Sequence, residues 1–271
     1  MNSIESFKDL IVRSSERLKD FTKNFPLHDS QFTFNEFNER CYMIMFDEQR
    51  KAKSVLPRQN FFAKIEGLRE VCSNCWKFYM NPRNKSLKFL DIKLGKQFEE
   101  ALIDFFNSIG IRCRKVEGLK ENYPDIAFYD VKGREVAYSE VKYLTAPFLK
   151  VYEKVPGREC YEGSTTLDVG RKIRSQRKIV EEEIDVPVFY VYWIDYPCIK
   201  GIFFMPAKEV YAYIDKVGGL EWTRREREGD FVGREKRILI AELRKVYLPL
   251  LEMGNFEELV KNLRLLTKGA S

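Results

Sequence analysis

Positions at helical spacing dominate the first third of the chain. Phe7, Leu10, Ile11, Ser14 and Leu18 fall on one side of a helix, and Phe34, Phe37, Cys41, Ile44 and Met45 repeat the pattern. Pro26, Pro57 and Pro82 punctuate this part, and Asn81-Pro82-Arg83-Asn84 reads as a turn. Residues 1–88 are therefore expected to form an N-terminal helical region. Its junction with the next module is soft, because no linker composition intervenes.

After Leu94 the period changes. Phe98, Leu102, Phe105 and Phe106 predict a helix over 95–109, closed by Gly110. Short runs then predict strands over 111–116, 124–131 and 136–144. The last puts Val136, Tyr138, Glu140 and Lys142 on one face and Ala137, Ser139, Val141 and Tyr143 on the other. Next come a helix over 165–184, strands over 188–194 and 201–205, and a helix over 206–217. This order predicts an α/β fold over 89–206, a mixed sheet flanked by helices. Residues 207–271 read as a mostly helical C-terminal extension, with a mixed-charge stretch over 221–236 and helical spacing again over 238–266.

Composition narrows the chemistry. Hydrophobic residues make up 44% and aromatics 14%, enough to bury a sizeable core. The net charge of +6, from 47 basic against 41 acidic residues, favours a polyanionic partner only weakly. Charged residues reach 32%, a composition that leans towards a thermophilic source. The single histidine, His28, sits in a loop with no nucleophile motif, so carboxylate and lysine chemistry is what remains. No signal peptide pattern opens the chain, and the longest apolar run, Pro187 to Ile194, is too short to span a bilayer. A soluble cytoplasmic protein without a membrane partner is expected. Six scattered cysteines do not form a secreted disulfide pattern.

One group of residues stands out. Asp91-Ile-Lys93 and Asp130-Val-Lys132 fit the same short pattern as Glu140-Val-Lys142, so the tripeptide alone proves nothing. Glu140 and Lys142, however, lie within an alternating strand, where two charges on one face need a cation, a partner or water. The strand comes after Pro124-Asp125 at hairpin distance, so Asp125 and Glu140 can share adjacent strands. A helix carrying Glu99 precedes both. The alternative is that Asp125 caps a turn while Glu140 and Lys142 pair in solvent.

Gly95-x-x-x-Glu99, Pro124-Asp125 and Glu140-Val-Lys142, in an αβββαβ order, resemble the PD-(D/E)XK nuclease superfamily, whose core is restriction-endonuclease-like. Its members include many restriction endonucleases, archaeal Holliday-junction resolvases and recombination-associated exonucleases. The resemblance covers about residues 94–205. It implies a nuclease that hydrolyses DNA phosphodiesters with Mg²⁺ or Mn²⁺ held by Asp125, Glu140 and the Val141 carbonyl. Lys142 would position or activate water, and Glu99 would ligate a second metal or orient water. It also suggests a homodimer where both strands are cut. In some exonuclease branches a Gln on the next helix joins the site, with Tyr four positions later. Here the residue four positions after Gln176 is Val180, so that sub-signature is broken.

Gln176 and Lys172, one turn apart, are candidates for binding substrate phosphate or metal-bound water; a Gln176 bond to inner backbone is the alternative. Arg171, Arg174 and Lys178 lie on the opposite side of that helix, and could track a phosphate backbone or simply face solvent. Cys72-Ser-Asn-Cys75-Trp76 could grip Zn²⁺ if Cys41 or His28 completes the set. A redox dithiol, a disulfide or plain buried cysteines are the alternatives, and Cys113, Cys160 and Cys198 read as packing residues. Tyr143, Phe148, Tyr152 and Tyr161 interleave with Lys150, Lys154 and Arg158 in a loop over 147–163, suiting either nucleic-acid stacking or a self-packed lid. Two further functions stay open: a nucleic-acid-binding module whose site is degenerate, and a zinc-stabilised interaction protein.

Overall fold

The computed structural model describes residues 2–22, 32–76, 88–116, 122–224, 227–232, 236–240 and 243–269. His28, Pro26, the turn over 81–84 and the junction around Pro82 lie outside them. The amphipathic N-terminal pattern becomes α1 (Ser3–Thr22), α2 (Glu36–Cys41), a π-helical turn (Tyr42–Asp47) and α3 (Glu48–Ala52). Asn35 opens α2 with a capping box, its side chain accepting from the Asn38 N–H while the Asn38 side chain accepts from the Asn35 N–H. A 3₁₀ turn (Arg58–Phe61) and α4 (Leu68–Asn74) complete the region.

Helix α5 runs from Lys88 to Ser108 and encloses Gly95, the residue expected at its start. A glycine inside a helix costs only about 1 kcal/mol relative to alanine, too little to stop one that is packed along its length. The helix ends as expected at Gly110, whose φ of +80° suits a residue without a side chain.

The sheet strands are β1 (Cys113–Lys115), β2 (Ile126–Tyr129) and β3 (Glu135–Leu144), joined by antiparallel pairing. Val136 is skipped in the β2–β3 register: Phe128 pairs with Ala137, and Tyr129 with Glu135. That bulge turns Val136 away from the alternation, so it packs with Ala137 and Val141 instead of Tyr138.

The 165–184 segment is not one helix. Thr165–Asp168 forms strand β4, and α6 covers Arg171–Glu182. Two β-branched threonines favour an extended chain, and Gly170, extended itself, begins the helix. Then come β5 (Val188–Asp195), β6 (Lys200–Pro206) and α7 (Ala207–Lys216). The expected helical spacing over 238–266 also breaks. The chain forms β7 (Trp222–Arg224), β8 (Arg227–Val232), β9 (Lys236–Ile240), β10 (Leu243–Leu248) and β11 (Gly254–Asn255) before α8 (Phe256–Lys268). Strand β10 is drawn into a small sheet by pairing with both β4 and β7, tertiary partners that local periodicity cannot reveal.

The chain is thus mixed α/β. Its main sheet has the order β1-β2-β3-β5-β6-β11, with β3 and β5 parallel and the other neighbours antiparallel. Helices cover both faces. One core joins α1, α5 and α8 to Ile126, Ala137, Val191 and Trp193. The other joins α6, α7 and the α2–α3 run to Tyr138, Tyr190, Tyr192 and Phe203. Strand β5 is buried on both faces, which is why its sequence is an almost unbroken apolar run. The N-terminal helices build no core of their own: Phe7 and Leu10 pack on one side of the sheet, Met45 and Phe46 on the other. Among the described residues, no helix is long and apolar enough to cross a membrane.

Candidate active site

Strand β3 carries Glu140 and Lys142 on the face covered by α6, in register with Tyr190 and Tyr192 of β5. Asp125 lies just before β2, whose Ile126 pairs with Ser139. The antiparallel alternation therefore brings Asp125 beside Glu140 and Val141. The Val141 N–H donates to Asp125 Oδ2 at 2.7 Å. Because Tyr138 donates to Pro187 on the β5 side, alternate residues 139 and 141 turn their backbone groups toward β2. The Val141 carbonyl thus points to the same side as Asp125.

Glu140 is fully buried and fully engaged. Lys142 Nζ donates to its Oε1, and Lys172 Nζ donates to the same oxygen at 3.0 Å. Gln176 Nε2 donates to Oε2 at 2.7 Å. A charged carboxylate only accepts, so the Gln176 amide must present its NH₂ there, leaving its carbonyl to accept from Tyr190. That bond is 2.5 Å, and the Tyr190 hydroxyl lies 3.3 Å from that of Tyr211. The alternative of a Gln176 bond to inner backbone gives way to this side-chain chain. Arg171, Arg174 and Lys178 are exposed, as their helical phase requires.

The two carboxyls titrate in opposite directions. Burial pushes Asp125 up, to about 7, and the charges of Glu140 and Glu99 add to it against the opposing Val141 N–H and Lys142. Burial also acts against ionised Glu140, but the ammonium groups of Lys142 and Lys172 outweigh it and hold that carboxyl below its usual range. Burial alone would lower Lys172; pairing with Glu140 leaves it raised. A neutral-pH site with one committed carboxylate and one undecided neighbour results.

Glu99 reaches this neighbourhood from α5, close enough to act on Asp125 and Lys172, but its carboxylate accepts from Lys115 Nζ at 2.5 Å. Lys115 does not stand out in the sequence, nor do Tyr190 and Tyr211. Their only signal is phase: Tyr190 sits opposite Glu140 in an otherwise apolar strand.

The donor set suits a small hard cation: two carboxylates on neighbouring strands and a carbonyl between them. Among the described residues Asp125 Oδ1 receives no hydrogen bond, and the buried Tyr192 hydroxyl near Glu140 has no partner. Both atoms have unused hydrogen-bonding capacity at this point. No three His, Cys, Asp or Glu side chains among the described residues form a ready metal cage, so any ion here would rest on two acids and backbone.

The thiols gather elsewhere. Cys41, Cys72, Cys75, Cys160 and Cys198 act on one another electrostatically, although they come from separate segments. None is in a disulfide. Burial pushes Cys72 up to about 11 and Cys75 to about 12, so they are thiols at neutral pH. Arg58 donates to Cys160 Sγ at 3.1 Å. His28, the other expected zinc partner, lies outside the described residues.

The 147–163 loop buries most of its aromatics against other parts of the chain. Phe148 stacks on Trp222 and Tyr247, and Tyr161 is buried with its hydroxyl donating to the Leu56 carbonyl. Arg158 is held by Glu162 and Tyr213, and Lys150 by Glu153; Tyr152 is exposed. Tyr143 stacks on Phe98 with ring centres 3.5 Å apart and donates to Asp195. The loop is therefore packed onto the small sheet and its neighbours, not on its own aromatics. No family model matches the chain, and no curated protein matches it.

Proposed function

We propose that the protein is a metal-dependent nuclease with a restriction-endonuclease-like core, hydrolysing phosphodiesters, DNA first among them. The observation that carries this reading is the convergence of Asp125, Glu140, Lys142, Lys172 and Gln176 at one point, from two strands and a helix. Asp125, Glu140 and the Val141 carbonyl would hold Mg²⁺ or Mn²⁺. When bound, such an ion polarises the phosphodiester and lowers the pKa of water.

The chain's own residues do the rest. Lys142 and Lys172 place two positive charges where an anionic phosphate and its transition state need them. Tyr190 locks the Gln176 amide, which keeps Glu140 in one rotamer. Lys142, hydrogen-bonded to Glu140, positions the attacking water, whose proton passes to solvent. Water adds to phosphorus, one P–O ester bond breaks, and the products are a phosphomonoester end and a hydroxyl end. Glu99 acts at a distance, through Lys115 and its field on Asp125.

Asp125→Ala, Glu140→Gln and Lys142→Ala should each lower cleavage of plasmid and oligonucleotide DNA by roughly 10³-fold or more, on the order of one lost electrostatic contributor to catalysis. Mg²⁺ or Mn²⁺ should raise the melting temperature of the native protein and not that of Glu140→Gln. Full cleavage by the variants would end the assignment. One observation favours a degenerate binding module instead: Glu140 is already saturated by Lys142, Lys172 and Gln176. In that case DNA binding would be the same with and without Mg²⁺.

A further inference from the structure

We propose that the cavity between α6, α7 and β10 is an anion subsite that takes one phosphate-bearing nucleotide unit. It encloses about 220 Å³. Val169, Ile173 and Tyr211 supply apolar surface, and three arginines, Arg174, Arg177 and Arg244, line the same space. Among the described residues, no acidic side chain lines it. Like charges sharing one cavity repel, and an anion between them removes that cost. Guanidinium forks match phosphate oxygens in pairs.

The three arginines are not equivalent. Arg177 is held rigidly, donating to both oxygens of Asp215 at 2.7 and 2.9 Å and to Glu181 at 2.8 Å. Its guanidinium lies 5.3 Å from the centre of the Tyr211 ring. Arg174 and Arg244 have no acidic partner among the described residues, so their charge is open to a ligand. The cavity is smaller than the roughly 300 Å³ at which sites for drug-sized ligands begin. A phosphate with its sugar fits that space better than a larger molecule.

Tyr211 also ties the cavity to the carboxylates, through Tyr190 and Gln176 to Glu140. The subsite therefore rests on the nuclease reading for its role, as the place of a nucleotide flanking the reacting phosphate, but not for its anion chemistry. That chemistry could come from a phosphodiester within a bound strand or from a free mononucleotide.

The test is a salt-dependent anisotropy titration of the full chain with a short fluorescein-labelled single-stranded DNA, in Ca²⁺. Calorimetric titration with thymidine monophosphate accompanies it. Arg174→Gln/Arg244→Gln should reduce the slope of log affinity against log salt by about 1–1.5, since each single-strand phosphate contact contributes roughly 0.7. Lys261→Gln/Arg264→Gln, on α8 across the sheet, should leave the slope unchanged. Mononucleotide binding that is lost in the first variant would identify the free nucleotide as an occupant. An unchanged slope with no arginine-dependent mononucleotide binding would overturn the subsite, as would an equal drop in the α8 variant. Asp125→Asn separates the two ideas. Loss of cleavage there, with the arginine-dependent slope intact, supports both. A native protein that cuts nothing yet keeps that slope removes the nuclease and leaves the subsite.

Discussion

Glu140 is covered by two ammonium groups and a carboxamide, whereas Asp125 has one backbone N–H and a carboxylate for company. Identical chemistry therefore titrates in opposite directions on neighbouring strands. Asp125 holds its proton up to about 7 in the folded chain against 3.8 otherwise. The folded state then binds more protons than the unfolded state between those values, so this group makes stability fall as pH rises through that window. Asp125→Asn keeps an acceptor for the Val141 N–H and cannot ionise. It should stabilise the protein by roughly 2–4 kcal/mol at about pH 8 and hardly at all at about pH 4, read from urea unfolding at the two pH values. Equal effects at both would mean that Asp125 ionises freely.

At the scale of elements, helix α6 docks on β3 through polar groups as well as apolar ones. Lys172 and Gln176, one turn apart, reach the same glutamate. The helical spacing of Ile173, Gln176 and Val180 made that face legible in the sequence. The partner opposite Gln176 was not legible, because periodicity gives a residue's side of the helix but not its partner. The short strands show the same limit. Thr165–Asp168 and Leu243–Leu248 carry apolar spacing that a helix could also use, and their pairing with each other and with β7 makes them strands. The last edge of the main sheet depends on a glycine: a Cβ at Gly254 would overlap the Phe204 ring, lying 2.6 Å from its Cζ, on the strand it pairs with. Phe204 is buried and has little room to move. Gly254→Ala should therefore cost about 1–3 kcal/mol in thermal or urea unfolding, an overpacking penalty.

Across the whole molecule, the sheet carries a buried ion pair at the turn joining β5 to β6. Lys200 Nζ donates to Asp195 Oδ1 at 2.6 Å, and Asp195 Oδ2 accepts from Tyr143 at 2.9 Å and from the Phe32 N–H at 3.3 Å. Both charged residues are shut away from water. One carboxylate thus ties β3, β5, β6 and the segment after α1 together. Lys200→Met should cost about 3–5 kcal/mol in urea unfolding, because it leaves Asp195 charged and buried, and adding Asp195→Asn should recover part of the loss. A single variant with native stability would mean that water reaches the pair. Sequence alone determined the alternation of β3 beyond its bulge, the apolar run of β5, the C-terminal ends of α5 and α7, and the residues able to do chemistry, since these come from local spacing and side-chain type. Tertiary structure decided that Lys172 joins Lys142 at Glu140, that Lys115 takes Glu99, and that five thiols share one neighbourhood. Those are contacts between residues far apart in the chain, chosen by how helices cover the two faces of the sheet, and no local pattern encodes them.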